Sequence, residues 1–227
     1  MGKTTTDNKK ESRLLAIVMA VLTAMGILSG AIAAPILCRQ FYYAHITPLQ
    51  MRLRVGLPEE QVRETYDEVM DYCLGMTEDF RLTYLTWSSE GASHFTDVQK
   101  LFLLDLRVLT VSLLLLILVW LVARYKHTWP AAIKGHGPGF WAATGLGTAF
   151  AVLGGLAALD FDRAFTLFHT VFFPGKDNWI FDDDIDPVID MLPEVFFRNC
   201  ALLVFALIIG ACGALLLKDW IQKKRRQ

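Results

Sequence analysis

Two histidines of this 227-residue chain stand where an imidazole could do proton chemistry. His94 lies in "SSEGASHFTDVQKLF" and His169 in "FTLFHTVFFPG". A neutral imidazole is the usual general base near pH 7. Beyond Pro174-Gly175 the chain turns acidic, with Asp177, Asp182, Asp183, Asp184 and Asp186. Three uses for those carboxylates stay open. They could bind a hard cation such as calcium, orient an imidazole as in nucleophile–base–orienter sites, or form a solvated face. "DDDIDPVID" lacks the glycine-turn spacing of a calcium loop. A His/His/Asp zinc site from His94, His169 and an aspartate is formally open, but no spacing favours it. Ser88, Ser89 and Ser93 offer a minor serine-nucleophile option beside His94. "GHGPG" and "GLGTAF" lack the strand–helix context of a phosphate or dinucleotide motif, and no nucleophile elbow occurs. His45 reads as an interface residue, and His127 and His136 as solvated or interfacial.

The elements that must position His94 and His169 follow from the hydropathy pattern. The chain is 54% hydrophobic, too apolar for an ordinary soluble domain. Four runs approach the roughly 20 residues that cross a bilayer at about 1.5 Å rise each. They are Leu14–Ala34, Val108–Ala123 (extended upstream by Leu101–Leu106), Phe140–Leu159 and Asn199–Leu217. None alternates as a barrel strand does, so helices are required to satisfy the backbone in hydrocarbon. "SGAIAAP" resembles a signal-peptidase site. The apolar run before it is longer than the roughly 7–15 residues of a signal core, so an uncleaved span is expected. The predicted class is a membrane all-α protein: four transmembrane helices with an extracytoplasmic, mainly helical cap formed by two outer segments. The spans are placed at about 14–37, 101–124, 140–160 and 196–217, within one domain.

Charge sets the expected orientation. Net charge is −1, which predicts no nucleic-acid partner. Lys3, Lys9, Lys10, Arg13, Arg124, Lys126, Lys134, Lys218, Lys223, Lys224, Arg225 and Arg226 cluster at the N-terminus, in 125–139 with its flanks, and at the C-terminus. Segment 160–198 holds only Arg163, Lys176 and Arg198. The positive-inside rule puts both termini in the cytoplasm and segments 39–100 and 161–195 outside. The basic tail with Trp220 suits an anionic inner leaflet. Cys38, Cys73, Cys200 and Cys212 lack metal spacing. A Cys38–Cys200 bridge is conceivable, but four buried thiols are expected.

Within the first outer segment, "PEEQVRETYDEVMDYCLG" predicts a helix from Pro58 to a left-handed Gly75 cap. Val62, Tyr66, Val69, Met70 and Cys73 share its apolar face. Thr96 and Gln99 form a T-x-x-Q capping box, which starts the second membrane helix near Thr96. That puts Asp97 in the first turn and His94 just ahead of it. His94 then lies roughly 10 Å outside the hydrocarbon edge. Gly147, Ala151 and Gly155 form a small-residue stripe for helix packing. Phe161, Phe165, Phe168, His169 and Phe172 recur at helical spacing and predict an aromatic-faced surface helix stopped by Pro174-Gly175. His169 therefore reaches the depth of His94 on the same side.

These stretches carry a resemblance. "TYDEVMDY", "SHFTDVQKLF" and "FHTVFFPGKDNWIFDDDIDPVIDMLPEVFF", set among four spans, resemble the bacterial lipoprotein intramolecular transacylase family over nearly the whole chain. One departure is Asp183, where the family pattern has proline after W-x-F-D. The resemblance implies that an O-acyl chain of an S-diacylglyceryl-cysteine lipoprotein moves to the α-amine of that cysteine. The product is the lyso-form. It also implies catalysis by His94 and His169. Asp97, Asp182, Asp186, Trp179, Tyr66, Tyr72 and Arg198 are candidate orienting or supporting residues. Phe165, Phe168 and Phe172 are candidate acyl-chain contacts. No metal and no cofactor are expected; the expected partners are the lipoprotein and membrane lipid, at the outer face of the bacterial cytoplasmic membrane. The alternatives are a metal-dependent membrane hydrolase and a non-enzymatic membrane receptor or assembly protein.

Overall fold

The computed structural model describes residues 10–225. Lys3, Lys9 and Arg226, counted above on the inner side, lie outside them. In chain order the elements are β1 (Lys10–Ser12), α1 (Arg13–Leu37), α2 (Arg39–Ile46), α3 (Met51–Val55), α4 (Glu59–Cys73), α5 (Ser89–Tyr125), β2 (Thr128–Pro130), α6 (Pro138–Leu159), α7 (Phe161–Phe172) and α8 (Glu194–Lys224). Among the described residues four helices, α1, α5, α6 and α8, are long and apolar enough to cross a membrane, with 25, 37, 22 and 31 residues. This is a multi-pass, all-α membrane protein.

The chain divides into two compact units. One comprises Met1–Ser29, Val108–Ala151 and Leu207–Gln227; the other comprises Gly30–Arg107 and Val152–Ala206. In the first, β1 pairs in parallel with β2, Lys10 opposite Thr128. Leu114, Ile117, Leu118 and Leu121 are exposed on α5, a surface that only hydrocarbon tolerates at this length. At Gly147 α6 lies next to Cys212 of α8, where an added Cβ would make an ordinary contact at 3.6 Å. His136 is better held than its basic loop predicts. Its ring stacks on Phe140 at 3.7 Å, and its Nδ1–H donates to the Asp219 carboxylate at 2.7 Å.

The second unit holds the larger apolar core. The predicted face of α4 packs inward: Val62, Tyr66, Val69, Met70 and Cys73 are all buried, with Tyr42, Ile46, Met51, Val188, Met191 and Phe196. Tyr66 stacks on Tyr42 at 3.6 Å, and the Tyr42 hydroxyl donates to the Met191 carbonyl at 2.9 Å. Arg39 ties α2 to α4 through Asp67, at 2.9 Å, and Asp71. Gly75 has φ of 71°, the left-handed value its position after α4 requires. His45 is structural: its Nδ1–H donates to the Phe41 carbonyl at 2.6 Å.

Three expectations need correction. The second membrane helix starts at Ser89, seven residues before Thr96. Ser88 is the working cap, its Oγ accepting from the Gly91 N–H at 2.9 Å. Asp186 anchors Ser88 by accepting from its N–H at 2.6 Å and its hydroxyl at 2.7 Å. Thr96 bonds back to the Ala92 carbonyl at 3.0 Å and Gln99 reaches the Tyr72 carbonyl at 2.6 Å, so neither caps anything. His94 and Asp97 are therefore inside the helix. The second correction concerns the cysteines: all four are free, but Cys38 is exposed and Cys200 half-buried. Burial pushes the Cys73 thiol up to about 12, which makes it inert. The third concerns the glycine stripe. Gly155 has open space, and Gly154 is the close position, where a Cβ would lie 2.5 Å from the Phe205 ring.

Candidate active site

The segment 88–100 and the segment 160–186 build the site, both within the second unit. On the first, the Asp186–Ser88 anchor starts α5 and brings His94 round to its inner face. Gly91 makes this possible, because a Cβ there would lie 2.5 Å from the Asp186 carboxylate and 3.2 Å from Phe181. On the second, Asp160 caps α7 by accepting from the Arg163 N–H at 2.9 Å. The aromatic repeat then winds as predicted, and α7 ends at Phe172 ahead of Pro174-Gly175.

These elements bring His94 and His169 together, their ring centroids 5.8 Å apart. They come from positions 75 residues apart, and both are buried, 6% and 7% exposed. Aromatic rings enclose them. Phe173 and Phe181 lie edge-on to His94 at 5.2 and 5.5 Å. Phe165 lies 4.3 Å from His169, and Trp179 stacks on His169 at 4.5 Å.

The hydrogen bonding of the two rings differs. His169 Nδ1–H donates to the Phe165 carbonyl at 2.8 Å. A carbonyl only accepts, so the proton sits on Nδ1 and Nε2 keeps its lone pair. Burial lowers the His169 pKa from its ordinary value, and the bond to Phe165 opposes that in part. The ring is therefore neutral at pH 7. His94 Nδ1 is buried with no hydrogen-bond partner among the described residues. A buried polar atom left open costs free energy unless something else meets it, and substrate is the natural candidate.

The carboxylates lie close by but do not orient a ring. Asp97 accepts from Lys176 at 2.5 Å, from Asn178 at 3.3 Å and from Lys100 at 3.4 Å. Asp186 is committed to Ser88. Asp182 is exposed and shapes its own turn: it accepts from the Asp184 N–H at 3.1 Å, and its carbonyl accepts from the Asp186 N–H at 2.7 Å. Asp183 sits in this closed turn where the family pattern has proline. Direct carboxylate orientation is thus replaced by a backbone carbonyl for His169, and for His94 by packing alone. No group of three potential metal ligands occurs among the described residues.

The other candidates fall in different places. The Tyr72 hydroxyl meets Thr96 Oγ1 at 2.7 Å, bracing α5 beside His94. Tyr66 belongs to the α4 core. Arg198 is exposed on α8, with Glu194 as its electrostatic neighbour. Phe168 and Phe172 are half-exposed, 44% and 50%. Sequence reasoning missed Lys176, Asn178, Phe173 and Phe181, and named Ser88 only as a nucleophile option where it caps α5. One signal for Lys176 was present: cations are scarce in segment 160–198.

Four membrane-crossing helices, with a buried imidazole pair carried by α5 and α7, mark an integral membrane protein. The chain belongs to the lipoprotein intramolecular transacylase family (Lit), whose family model matches residues 17–197. Its activity is accordingly acyl transfer within one lipoprotein. It is similar to the membrane-integral lipoprotein intramolecular transacylase of Bacillus cereus, whose in meso structure is 25% identical at a TM-score of 0.81, covering 95% of this chain and 98% of that one. A variant of that protein with one histidine replaced by arginine matches at 24% identity and a TM-score of 0.76, covering 94% and 93%. No curated protein sequence matches the chain.

Proposed function

We propose that His94 and His169 carry an O-to-N acyl transfer on a diacylglyceryl lipoprotein. The substrate ester and the α-amine of its S-diacylglyceryl-cysteine are on one molecule, so catalysis is largely a matter of holding them together. The observation that carries the reading is the 5.8 Å separation of two buried rings, close enough to share one tetrahedral intermediate.

His169 Nε2 takes a proton from the α-ammonium, and the freed amine attacks the ester carbonyl carbon. A C–N bond forms and the ester C–O bond breaks. His94 stabilises the developing charge and directs the proton to the departing glyceryl oxygen. The first proton leaves to water and a second, from the attacking nitrogen, ends on the glyceryl hydroxyl, so the neutral lipoprotein is isomerised without a second substrate. Phe165, Phe168 and Phe172 hold the acyl chains, since Phe168 and Phe172 present apolar area that water would not favour. Trp179 fixes the plane of His169. Asp97, held by Lys176 and Asn178, joins the Trp179 loop to α5 and so sets the distance between the rings. Asp186 acts through the Ser88 cap, and Tyr72 through Thr96.

In this reading the histidines face the outside of the bacterial cytoplasmic membrane. The spans lie at about 14–37, 101–124, 140–160 and 196–217, and both termini and 125–139 are cytoplasmic, as the basic residues there support. Membrane lipid surrounds the site.

The test is turnover of a synthetic diacylglyceryl lipopeptide by purified protein, read by mass spectrometry. Native protein yields the N-acyl, S-monoacylglyceryl product. His94→Ala and His169→Ala accumulate normally and yield none. Normal product from either variant would sink the mechanism.

A further inference from the structure

Against the Asp97–Lys176 pair lies a cleft of about 570 Å³ whose lining includes Arg81, Trp87, Ser93, Thr96, Asp97 and Lys100. That size falls in the range of about 300–1,000 Å³ that holds drug-sized ligands. The acyl-transfer chemistry leaves it unused. Two of its walls belong to the machinery already described: Ser93 and Asp97 flank His94 on α5, and Lys176 also lines it. Neither histidine lines the cleft, but Asp97 and Lys176 on its wall both act electrostatically on His94, which puts it next to that ring.

Its chemistry contrasts with the other surroundings of that pair. Around His169 stand Phe165 and Phe168, with Leu167, Val171 and Phe172 exposed on α7. The cleft is polar and carries both charge signs. Arg81 pairs with Asp79 at 3.3 Å, and Lys100 is 70% exposed. Ser93 Oγ accepts weakly from Asn178 at 3.3 Å and keeps its own O–H to donate. Trp87 is 39% exposed, with an open face for stacking. A lipid headgroup phosphate would select for cations alone. Mixed charges, hydroxyls and one indole suit peptide groups and their side chains.

The geometry points to this cleft as the subsite for the polypeptide that follows the acylated cysteine. This rests on the acyl-transfer reading. A lipoprotein is apolar on one side of its cysteine and polypeptide on the other. The histidine pair likewise has an aromatic, apolar flank and a polar one, so the cysteine is held at the junction.

Two lipopeptides with one common S-diacylglyceryl-cysteine test it, one ending as a simple amide and one continuing for about six residues, a length chosen to fill a cleft of this class. The native protein prefers the longer by about tenfold in kcat/KM. Trp87→Ala and Arg81→Glu, both at exposed positions, each bring that preference down toward one. A native protein without preference overturns the inference, and so do variants that lose turnover on both substrates in equal measure. Turnover of neither lipopeptide by native protein overturns the acyl-transfer reading itself and the inference with it.

Discussion

The molecule places imidazoles among aromatic rings in two regions, and their hydrogen bonding separates them. His136, in the first unit, stacks on Phe140, and the chain occupies both of its nitrogens. Nδ1–H donates to Asp219 at 2.7 Å, and Nε2 accepts from Lys223 at 3.3 Å. In the second unit, hydrogen bonds among the described residues occupy only Nδ1 of His169, while His94 Nδ1 is buried and open. A satisfied imidazole stabilises a fold. Spare capacity alone does not mark a site, since among the described residues structural His45 bonds only to the Phe41 carbonyl; His94 and His169 combine it with near-complete burial and with each other's ring at 5.8 Å. Residue type and aromatic company are the same in both regions, so neither distinguishes the structural site from the chemical one.

The largest effects should break this contrast at the rings. His94→Ala and His169→Ala each remove acid–base catalysis worth about 10²–10⁴-fold, measured as lyso-form product per enzyme. His136→Ala keeps turnover within about twofold and instead lowers Tm, because it leaves Asp219 with one partner fewer. Equal loss of activity from His136→Ala would collapse the distinction.

Smaller effects should come from the clasp between the loops. Asp97→Asn and Lys176→Met release the Trp179 loop from α5 and lower kcat by about 10–100-fold, the scale of a small misplacement of reacting groups. On a lipopeptide that ends at the cysteine amide, and so leaves the cleft unfilled, KM changes little. A rise in KM with kcat intact on that substrate would show instead that the pair binds the lipid part. Gly91→Ala forces a methyl against Asp186 and Phe181 and costs about 1–3 kcal/mol of stability by overpacking, seen as a lower midpoint in thermal or denaturant unfolding. An unchanged midpoint would mean the Ser88 anchor yields easily.

The smallest effect is on pH dependence. Burial lowers the His169 pKa, so the neutral base persists below the ordinary value of about 6.5. Activity is lost as pH falls through the lowered value, and the acidic limb of kcat/KM lies below pH 6.5. The same shift acts on stability. Below about pH 6.5 the unfolded chain binds the proton that buried His169 resists, so acid also destabilises the fold. An acidic limb centred above 6.5 would contradict a desolvated ring.

Much of this was legible because it is periodic or local. The α7 repeat, the α4 face, the Gly75 cap and the four apolar runs each follow from spacing along a single segment. The α5 start was misread for a physical reason: the T-x-x-Q box has the local form of a cap, but Asp186, 98 residues from Ser88, fixes the cap at Ser88. The aspartates were read as possible orienters of an imidazole, but the partners of Asp97 and Asp186 are Lys176, Asn178 and Ser88. Local sequence does not reveal which of several nearby donors a carboxylate will meet.

By itself the sequence determined a multi-pass helical membrane protein, because bilayer thickness and helical rise leave little freedom once the apolar runs are known. Its motifs also pointed to the family. Only the tertiary structure decided that the two rings sit 5.8 Å apart, that a Phe165 carbonyl rather than an aspartate sets the tautomer of His169, and that the Asp97–Lys176 clasp joins α5 to the loop after α7. Those are contacts between segments distant in the chain, and their geometry is settled by packing, which no single segment encodes.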